Sequence, residues 1–191
     1  MAKQDKTNKS KYISYVLRHG LQELNLIPDP EGYIKLKDLI DKSNNQLDEE
    51  NIIDIVNTCT KSRFSIKIKE GQKYIRANQG HSKSVGEMID PTQLLKKIKE
   101  PINGVFHGSY QKNLESIQLN GLNRMSRQHI HLAKSLEAKS GKRNDCNLLI
   151  YIDMKQAIED GMEFFESENG VILTEGINGI LPTKYLTFQK I

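Results

Sequence analysis

The stretch that decides the fold runs from Phe64 to Arg76 and reads Phe-Ser-Ile-Lys-Ile-Lys-Glu-Gly-Gln-Lys-Tyr-Ile-Arg. Apolar and polar residues alternate over its first six positions, as in a strand with one buried face. Glu70-Gly71-Gln72 is a turn signal, and the chain returns through Lys73-Tyr74-Ile75-Arg76. The stretch therefore predicts a β-hairpin that presents Lys67 and Lys69 on one face.

Two amphipathic helices are expected before this hairpin. The apolar residues of the first recur at helical spacing from Ile13 to Leu24, with Ser10 as a candidate N-cap and a solvated tail before it. The second opens at Leu47 and carries acidic residues in its first turn. Helices followed by a hairpin predict an α+β chain that begins with a winged-helix module of roughly eighty residues. Such modules often bind nucleic acid, and many serve only as interaction platforms.

A change in composition marks the predicted domain boundary. Apolar density falls between Asn78 and Asp90 while glycine and serine accumulate, so we predict a linker there, with one lobe over residues 1–85 and another over 86–191. The second lobe is expected to be rich in strands with short helices. Its predicted strands include Val105–His107, His129–Leu132, Leu148–Ile152, Val171–Leu173 and Tyr185–Phe188.

Bulk composition narrows the class of protein. The 191 residues carry a net charge of +4 and are 37% hydrophobic, which suits ordinary cores and favours a polyanionic partner weakly. No apolar run is long enough to span a bilayer, and the lysine-rich start does not resemble a secretory signal. Cys59 and Cys146 offer neither a disulfide framework nor a paired-cysteine metal spacing. We therefore expect a cytoplasmic protein without a membrane partner, and we expect a monomer.

The histidines are concentrated in a few short segments. All five fall within Leu17–Gly20, Tyr74–Ser82, Phe106–Ser109 and Arg124–Leu132, and each segment except Phe106–Ser109 also contains arginine. Guanidinium groups bind phosphate through paired donors, and imidazole transfers protons near neutral pH. This distribution indicates a substrate that carries phosphate.

Each segment also has a simpler interpretation. Arg18 and His19 are compatible with a solvated helix face. His107-Gly108-Ser109 is compatible either with a tight turn or with a site where a ligand approaches the backbone. Lys67 and Lys69 suit either a phosphate backbone or an edge strand protected from aggregation. His129 and His131 point to one side of a strand, but no third ligand follows at a suitable spacing, so no metal is expected.

Taken in order, these motifs resemble the NAD-dependent RNA 2′-phosphotransferase (KptA-like) family. The resemblance extends from about Lys9 to Leu186. It is carried by Val16-Leu17-Arg18-His19, Gly32-Tyr33-Ile34, Ile75-Arg76-Ala77-Asn78-Gln79-Gly80-His81-Ser82, Phe106-His107-Gly108-Ser109, the segment from Gly121 to Leu132 and Asn169-Gly170-Val171. The chain departs from the family pattern at Gly20 and Leu21, at Ser109 where threonine is commoner, and at Arg124, whose role stays open together with those of His81 and His129.

The resemblance implies a winged-helix RNA lobe followed by a β-rich lobe of the ADP-ribosyltransferase type that binds NAD. It implies catalytic roles for Arg18, His19, Arg76 and Arg127, and NAD contacts for His107, Gly108, Ser109, His131 and Val171. The implied reaction transfers an internal RNA 2′-phosphate to NAD through a 2′-phospho-ADP-ribosylated RNA intermediate, without a metal. It yields 2′-OH RNA, ADP-ribose 1″,2″-cyclic phosphate and nicotinamide, and tRNA during splicing is one candidate substrate.

Two other functions fit the same sequence. The chain could attach ADP-ribose to terminal phosphates of RNA or DNA and stop there. It could also be a winged-helix nucleic-acid-binding protein whose second lobe is inactive. A stable ADP-ribose cap would indicate the first alternative. Failure to release nicotinamide from NAD with any phosphorylated RNA would indicate the second.

Overall fold

The computed structural model describes residues 3–143 and 145–191. The chain divides into two compact units, Met1–Leu94 and Leu95–Ile191. Helices and antiparallel strands are both present, which confirms the α+β class predicted from the sequence. The first unit contains most of the helix, and the second is built mainly of short strands.

Helices in the first unit differ from the sequence prediction at the N-terminus. They are α1 (Lys3–Tyr15), a π-helical turn (Val16–Gly20), α2 (Leu36–Asp41) and α3 (Glu49–Asn57). The predicted solvated tail is wrong because α1 starts at Lys3, and Ser10 lies inside it instead of capping it. One stabilising contact is the Lys6–Asp54 ion pair at 2.6 Å, which joins α1 to α3. Helix α3 begins at Glu49, two residues after the predicted start at Leu47, because the Asp48 carboxylate caps it by accepting a hydrogen bond from the Asn51 amide at 2.8 Å.

The predicted hairpin is confirmed and lies at one side of a three-stranded sheet. The strands are β1 (Ile34–Lys35), β2 (Phe64–Lys69) and β3 (Gln72–Ala77), in the antiparallel order β1-β3-β2. Both turn residues have positive φ, 51° at Glu70 and 73° at Gly71, which suits the right-handed twist of the strands. The buried apolar side chains of this unit include Ile13, Leu17, Ile52, Phe64 and Ile75.

The linker predicted between Asn78 and Asp90 is wrong, and so is the boundary at residue 85. Residues 83–86 form α4 (Lys83–Gly86), and α5 (Pro91–Leu94) ends the first unit. Val85 is fully buried, and the Asp90 amide donates to the Pro30 carbonyl at 2.9 Å. The segment is ordered although it is poor in apolar residues, because backbone hydrogen bonds help to hold it. Composition does not reveal such bonds.

Over residues 95–143 and 145–191, the strands of the second unit form three antiparallel sheets. The strands are β4 (Lys96–Ile98), β5 (Phe106–Ser109), β6 (Leu122–Asn123), β7 (Ile130–Leu132), β8 (Leu148–Ile152), β9 (Phe164–Glu166), β10 (Ile172–Thr174), β11 (Ile180–Leu181) and β12 (Leu186–Lys190). The sheet orders are β4-β9-β10-β7, β12-β8-β5 and β11-β6. A bridge between Phe106 and Ala133 connects β5 to the chain just after β7.

The described part of this unit also contains the short α-helices α6 (Leu114–Asn120) and α7 (Met154–Glu159). Helix α6 is capped by Gly121, whose φ of 77° favours glycine. Buried side chains including Val105, Ile150 and Phe164 form the core that supports β5 and β7.

Candidate functional site

The Arg18-His19 pair lies on the π-helical turn and not on a regular helix. This turn spans Val16–Gly20, and single π turns are frequent at functional sites. Val16 and Leu17 are buried, whereas His19 is exposed and Arg18 is half-buried. The Tyr15 ring lies 6.2 Å from the His19 ring, centroid to centroid. The turn is therefore anchored by its apolar residues, and the Arg18 and His19 side chains are less buried than these.

The segment from Ile75 to Ser82 folds back onto this turn. The Arg18 carbonyl accepts hydrogen bonds from the Ser82 amide at 2.9 Å and from the Ser82 hydroxyl at 3.1 Å. Gly80 has φ at +90°, and a Cβ at this position would lie 3.2 Å from Cζ of Arg18. Asn78 is buried, and its side-chain amide donates to the Ser62 carbonyl at 2.9 Å. The motif therefore serves to fix its own backbone and to hold Arg18 against Gly80.

Arg76 projects from β3 of the same unit and is 8% exposed. Its Nη1 donates to the Glu31 carbonyl oxygen at 2.9 Å, and its Cζ lies 4.6 Å from the centroid of the Tyr33 ring. Strand β3 also contacts the π-helical turn. The structure thus brings the elements that carry Arg18 and Arg76 together within the first unit. The contacts of Arg76 with Glu31 and Tyr33 were not foreseen, because they depend on how the turn before β1 closes.

In the second unit, His107 is held as a neutral hydrogen-bond acceptor. Its Nδ1 lies 2.9 Å from the His131 carbonyl oxygen. A carbonyl oxygen can only accept, so Nδ1 carries the proton and Nε2 is left as an acceptor. Burial lowers the pKa of His107, and the charges of Arg143 and Arg127 add to this effect, whereas the bond to His131 opposes it. A neutral imidazole in this tautomer is suited to accept a hydrogen bond from a hydroxyl group.

Gly108 follows on the same strand and is closely surrounded. A Cβ added to Gly108 would lie 3.0 Å from Sγ of Cys146, so the position has no room for a side chain. Phe106 exchanges backbone hydrogen bonds with Ala133, on the side of β5 away from β8. Because backbone groups in an antiparallel strand alternate in direction, Gly108 turns its N–H and C=O to that same side. An amide ligand could meet one donor and one acceptor there.

Arg127 and Arg143 concentrate positive charge beside this strand. Neighbouring protein atoms displace part of the water around Arg127, and this desolvation, followed by the charge of Arg143, lowers the pKa of Arg127 although the residue as a whole is exposed. Both guanidiniums stay charged at neutral pH. Cζ of Arg143 lies 5.4 Å from the Tyr110 ring centroid, and the Tyr110 hydroxyl donates to Asp145 at 2.7 Å. Arg143 was not among the residues predicted for the site, and the sequence around it contains no motif that would have identified it.

The remaining predicted contact residues have mainly structural surroundings. The Ser109 hydroxyl accepts a bond from the Asn113 side-chain amide at 3.4 Å. His131 contributes its carbonyl to His107 as described above. Val171 is fully buried, and its backbone N–H and C=O both bond to Ser167. A direct contact of Ser109, His131 or Val171 with NAD stays a prediction.

His129 and Arg124, whose roles were left open, belong to one cluster with Glu175. Burial, followed by the charge of Arg124, lowers the pKa of His129 to about 4, so it is neutral at pH 7. Its Nε2 lies 3.8 Å from the Glu175 carboxylate, which is too long for a hydrogen bond, and a neutral ring makes no ion pair. Arg124 donates to the Gln128 carbonyl at 3.1 Å, across the turn that carries Arg127. The cluster therefore supports that turn.

Metal binding and membrane crossing are two further properties on which the structure bears. Within residues 3–143 and 145–191, no three His, Cys, Asp or Glu side chains are grouped closely enough to bind a metal ion. Over the same residues, none of the helices has the length and apolar character that crossing a membrane requires.

Comparison with known proteins places these residues in context. The sequence profile described as "RNA 2'-phosphotransferase, Tpt1 / KptA family" matches residues 4–176. The tRNA 2′-phosphotransferase 1 of Danio rerio is 37% identical over 186 residues, which are 93% of this chain and 82% of that protein. The tRNA 2′-phosphotransferase 1 of Mus musculus is 40% identical over 184 residues, 92% of this chain and 73% of the relative. A Schizosaccharomyces pombe relative is 39% identical over 192 residues, 96% of this chain, and the chain spans about half of that longer protein, 51%.

Proposed function

The chain belongs to the RNA 2′-phosphotransferase, Tpt1/KptA family, and from that premise we propose that it removes an internal 2′-phosphate from RNA by transferring it to NAD. The products of this reaction are 2′-OH RNA, ADP-ribose 1″,2″-cyclic phosphate and nicotinamide. One observation carries the proposal. The segment Ile75–Ser82 bonds twice to the Arg18 carbonyl and packs Gly80 against the Arg18 guanidinium, so the motif is folded around a group of the kind that binds phosphate well.

We assign the phosphate to Arg18, Arg76 and Arg127. Charge builds on the phosphoryl oxygens during transfer, and arginine donors aimed at those oxygens stabilise that charge. Arg76 suits this role because a carbonyl and an aromatic ring orient its guanidinium before substrate binds. His19 is the proposed proton carrier, which accepts a proton from the attacking hydroxyl and returns one to the departing 2′-oxygen. Its exposed position on the π-helical turn is compatible with both transfers.

We assign NAD to the second unit, as a lobe of the ADP-ribosyltransferase type. When bound, NAD supplies the ADP-ribosyl group that receives the phosphate and the nicotinamide that leaves. The backbone N–H and C=O of Gly108 suit the nicotinamide amide, and Nε2 of His107 suits a ribose hydroxyl. Arg127 and Arg143 suit anionic oxygens. The 2′-phosphate is already an anion, so no carboxylate is needed to activate it, and this agrees with an apolar residue at Val171.

The first unit is the proposed RNA-binding lobe. The succession of helices α1 to α3 and the β2–β3 hairpin supports assigning this unit to the winged-helix type. We expect contacts with the RNA backbone and little base readout, so binding should weaken as salt rises. A tRNA that carries a 2′-phosphate is the substrate suggested by the names of the relatives, and a role in splicing stays a prediction. The monomeric state and the cytoplasmic location stay predictions.

The deciding experiment uses a short oligonucleotide with one internal 2′-phosphate. The chain is incubated with this RNA with and without NAD, and the products are separated by liquid chromatography and mass spectrometry. We expect NAD-dependent loss of the 2′-phosphate with equimolar ADP-ribose cyclic phosphate. A parallel RNA with only a 5′-phosphate is the matched control. A stable ADP-ribose cap on that control, with no cyclic phosphate from the first RNA, would replace this proposal by terminal capping. Absence of nicotinamide release with both RNAs would reject an enzymatic function.

A further inference from the structure

We propose that Lys67 is a positioning residue for Arg76, which it serves by keeping the Glu31 carboxylate away from the Arg76 guanidinium. The inference rests on the proposed function in so far as Arg76 binds the substrate phosphate. It starts from a residue whose backbone carbonyl accepts a hydrogen bond from Nη1 of Arg76 at 2.9 Å. That residue, Glu31, therefore has its carboxylate within a short side chain's reach of the guanidinium.

A second cation, the ammonium of Lys67, forms an ion pair with the Glu31 carboxylate. Nζ of Lys67 lies 2.9 Å from Oε1 of Glu31 and 3.0 Å from Oδ2 of Asp29. The same ammonium lies 4.0 Å from the centroid of the Tyr33 ring, on which Arg76 also packs at 4.6 Å. One lysine thus contacts three side chains of the turn that holds Arg76. Lys67 was a candidate for binding the RNA backbone, and these contacts give it a different task.

The strand register explains why the two cations are neighbours. Ser65 is paired with Arg76, and residues two apart on a strand share a face, so Lys67 and Arg76 lie diagonally on one face of the hairpin. Such proximity is unfavourable for like charges, and the carboxylates of Asp29 and Glu31 offset it. Asp29 is fixed independently, because its Oδ1 accepts a hydrogen bond from the Tyr33 amide at 2.8 Å. Glu31 is the acid that could change its partner.

Removal of the Lys67 charge should therefore release Glu31 onto Arg76. An intramolecular carboxylate that pairs with Arg76 competes with the substrate phosphate, since both are oxyanions that accept from the same donors. The defect should appear as weaker binding of phosphorylated RNA and not as a loss of fold. It should also disappear when the competing carboxylate is removed, because Glu31→Gln leaves in place the backbone carbonyl that bonds to Arg76.

The test compares Lys67→Met, Lys67→Met with Glu31→Gln, and Lys69→Met as the matched control. Methionine keeps an apolar stem over Tyr33, and Lys69 is an exposed lysine on the same strand and face. With the 2′-phosphorylated oligonucleotide at saturating NAD, we expect K67M to raise KM about tenfold with a smaller change in kcat. The double variant should return KM to within about twofold of the unsubstituted chain, whereas K69M, which removes one exposed charge from the same strand, should raise KM by less than K67M does. A normal KM for K67M, or a double variant no better than K67M, would overturn the inference.

A second readout separates this inference from the proposed function. The Nε–Hε resonance of Arg76, assigned through Arg76→Lys, reports the environment of the guanidinium by NMR without any substrate. We expect this resonance to move in K67M, to return in the double variant and to stay in place in K69M. If the unsubstituted chain has no phosphotransferase activity and the resonance still follows this pattern, the proposed function fails and the positioning role stands. If the resonance does not move in K67M, the positioning role fails whatever the activity. Thermal unfolding of all three variants checks that each one is folded.

Discussion

Gly80→Ala is the substitution for which the structure gives the sharpest expectation. Gly80 has φ at +90°, in the region that side chains with a Cβ rarely adopt, and its missing Cβ would lie 3.2 Å from both Cζ and Nε of Arg18. Gly71 provides the matched control. Its φ is +73°, but no atom lies within 4 Å of the position that a Cβ would take. Both alanine variants therefore have a strained backbone, and Gly80→Ala alone also pushes on a guanidinium.

The loss of stability and the loss of catalytic rate can be estimated separately. A left-handed alanine costs about 1–2 kcal/mol, so each variant should lose that much stability, which corresponds to roughly 4–16 °C in the unfolding midpoint of a unit of this size. In Gly80→Ala the Arg18 guanidinium must also move by a few tenths of an ångström. Since a misplacement of about 1 Å can cost about 10²-fold in rate, a shift of this size should lower kcat/KM about tenfold.

The assay is turnover of the 2′-phosphorylated oligonucleotide with NAD, at a temperature well below both unfolding midpoints. We expect Gly71→Ala to retain the activity of the unsubstituted chain and Gly80→Ala to lose about 90% of it. Circular dichroism melts establish that both variants are folded and similarly destabilised. Equal activity of the two variants would refute the reasoning, because it would show that Gly80 does not act through Arg18.

Three further expectations concern single side chains. Arg76→Lys should lower kcat about 10²–10³-fold in the same assay, since lysine lacks the planar fork of donors, and near-normal turnover would count against a phosphate role for Arg76. His107→Phe should weaken NAD binding about tenfold in calorimetry, because it removes the Nε2 acceptor, while leaving the KM for RNA unchanged. The pKa of His129 is lowered to about 4 from 6.5, so the native state takes up fewer protons than the unfolded state. The contribution of neutral His129 to the free energy of unfolding should be fully present above about pH 6.5 and should decrease as the pH drops toward 4. An NMR titration of His129 with a midpoint near 6.5 would contradict this.

Local pattern was sufficient for the elements whose stability is local. The β2–β3 hairpin follows from strict alternation and a glycine-containing turn, and α3 follows from an amphipathic pattern with acidic residues in its first turn. Strand β4 was missed because Lys96–Ile98 contains two lysines, and it forms by pairing with β9 across a long stretch of sequence. The local sequence around β4 does not indicate that β9 will pair with it.

The candidate site was predictable in its residue types and not in its contacts. Arginine and histidine beside glycine selected four segments, and the structure brings Leu17–Gly20 against Tyr74–Ser82 and Phe106–Ser109 against Arg124–Leu132. The contacts that orient these groups come from the backbone of distant residues, such as the Glu31 carbonyl at Arg76 and the His131 carbonyl at His107. A carbonyl belongs to every residue, so no residue type in the sequence identifies it as a ligand-orienting group.

The departure of Gly20 from the family pattern has a physical explanation in the turn that carries His19. Helical spacing predicted a regular helix through this region, but Val16–Gly20 forms a π-helical turn. A Cβ on Gly20 would lie 3.2 Å from Cε1 of Tyr15, so the glycine makes room for this ring. The Tyr15 hydroxyl donates to the Glu23 carboxylate at 2.7 Å, so a hydrogen bond connects the chain before the turn with the chain after it. Gly20 and Tyr15 are therefore a matched pair. A larger residue at Gly20 would expel the ring that lies beside His19, so the two positions should be exchanged together and not singly.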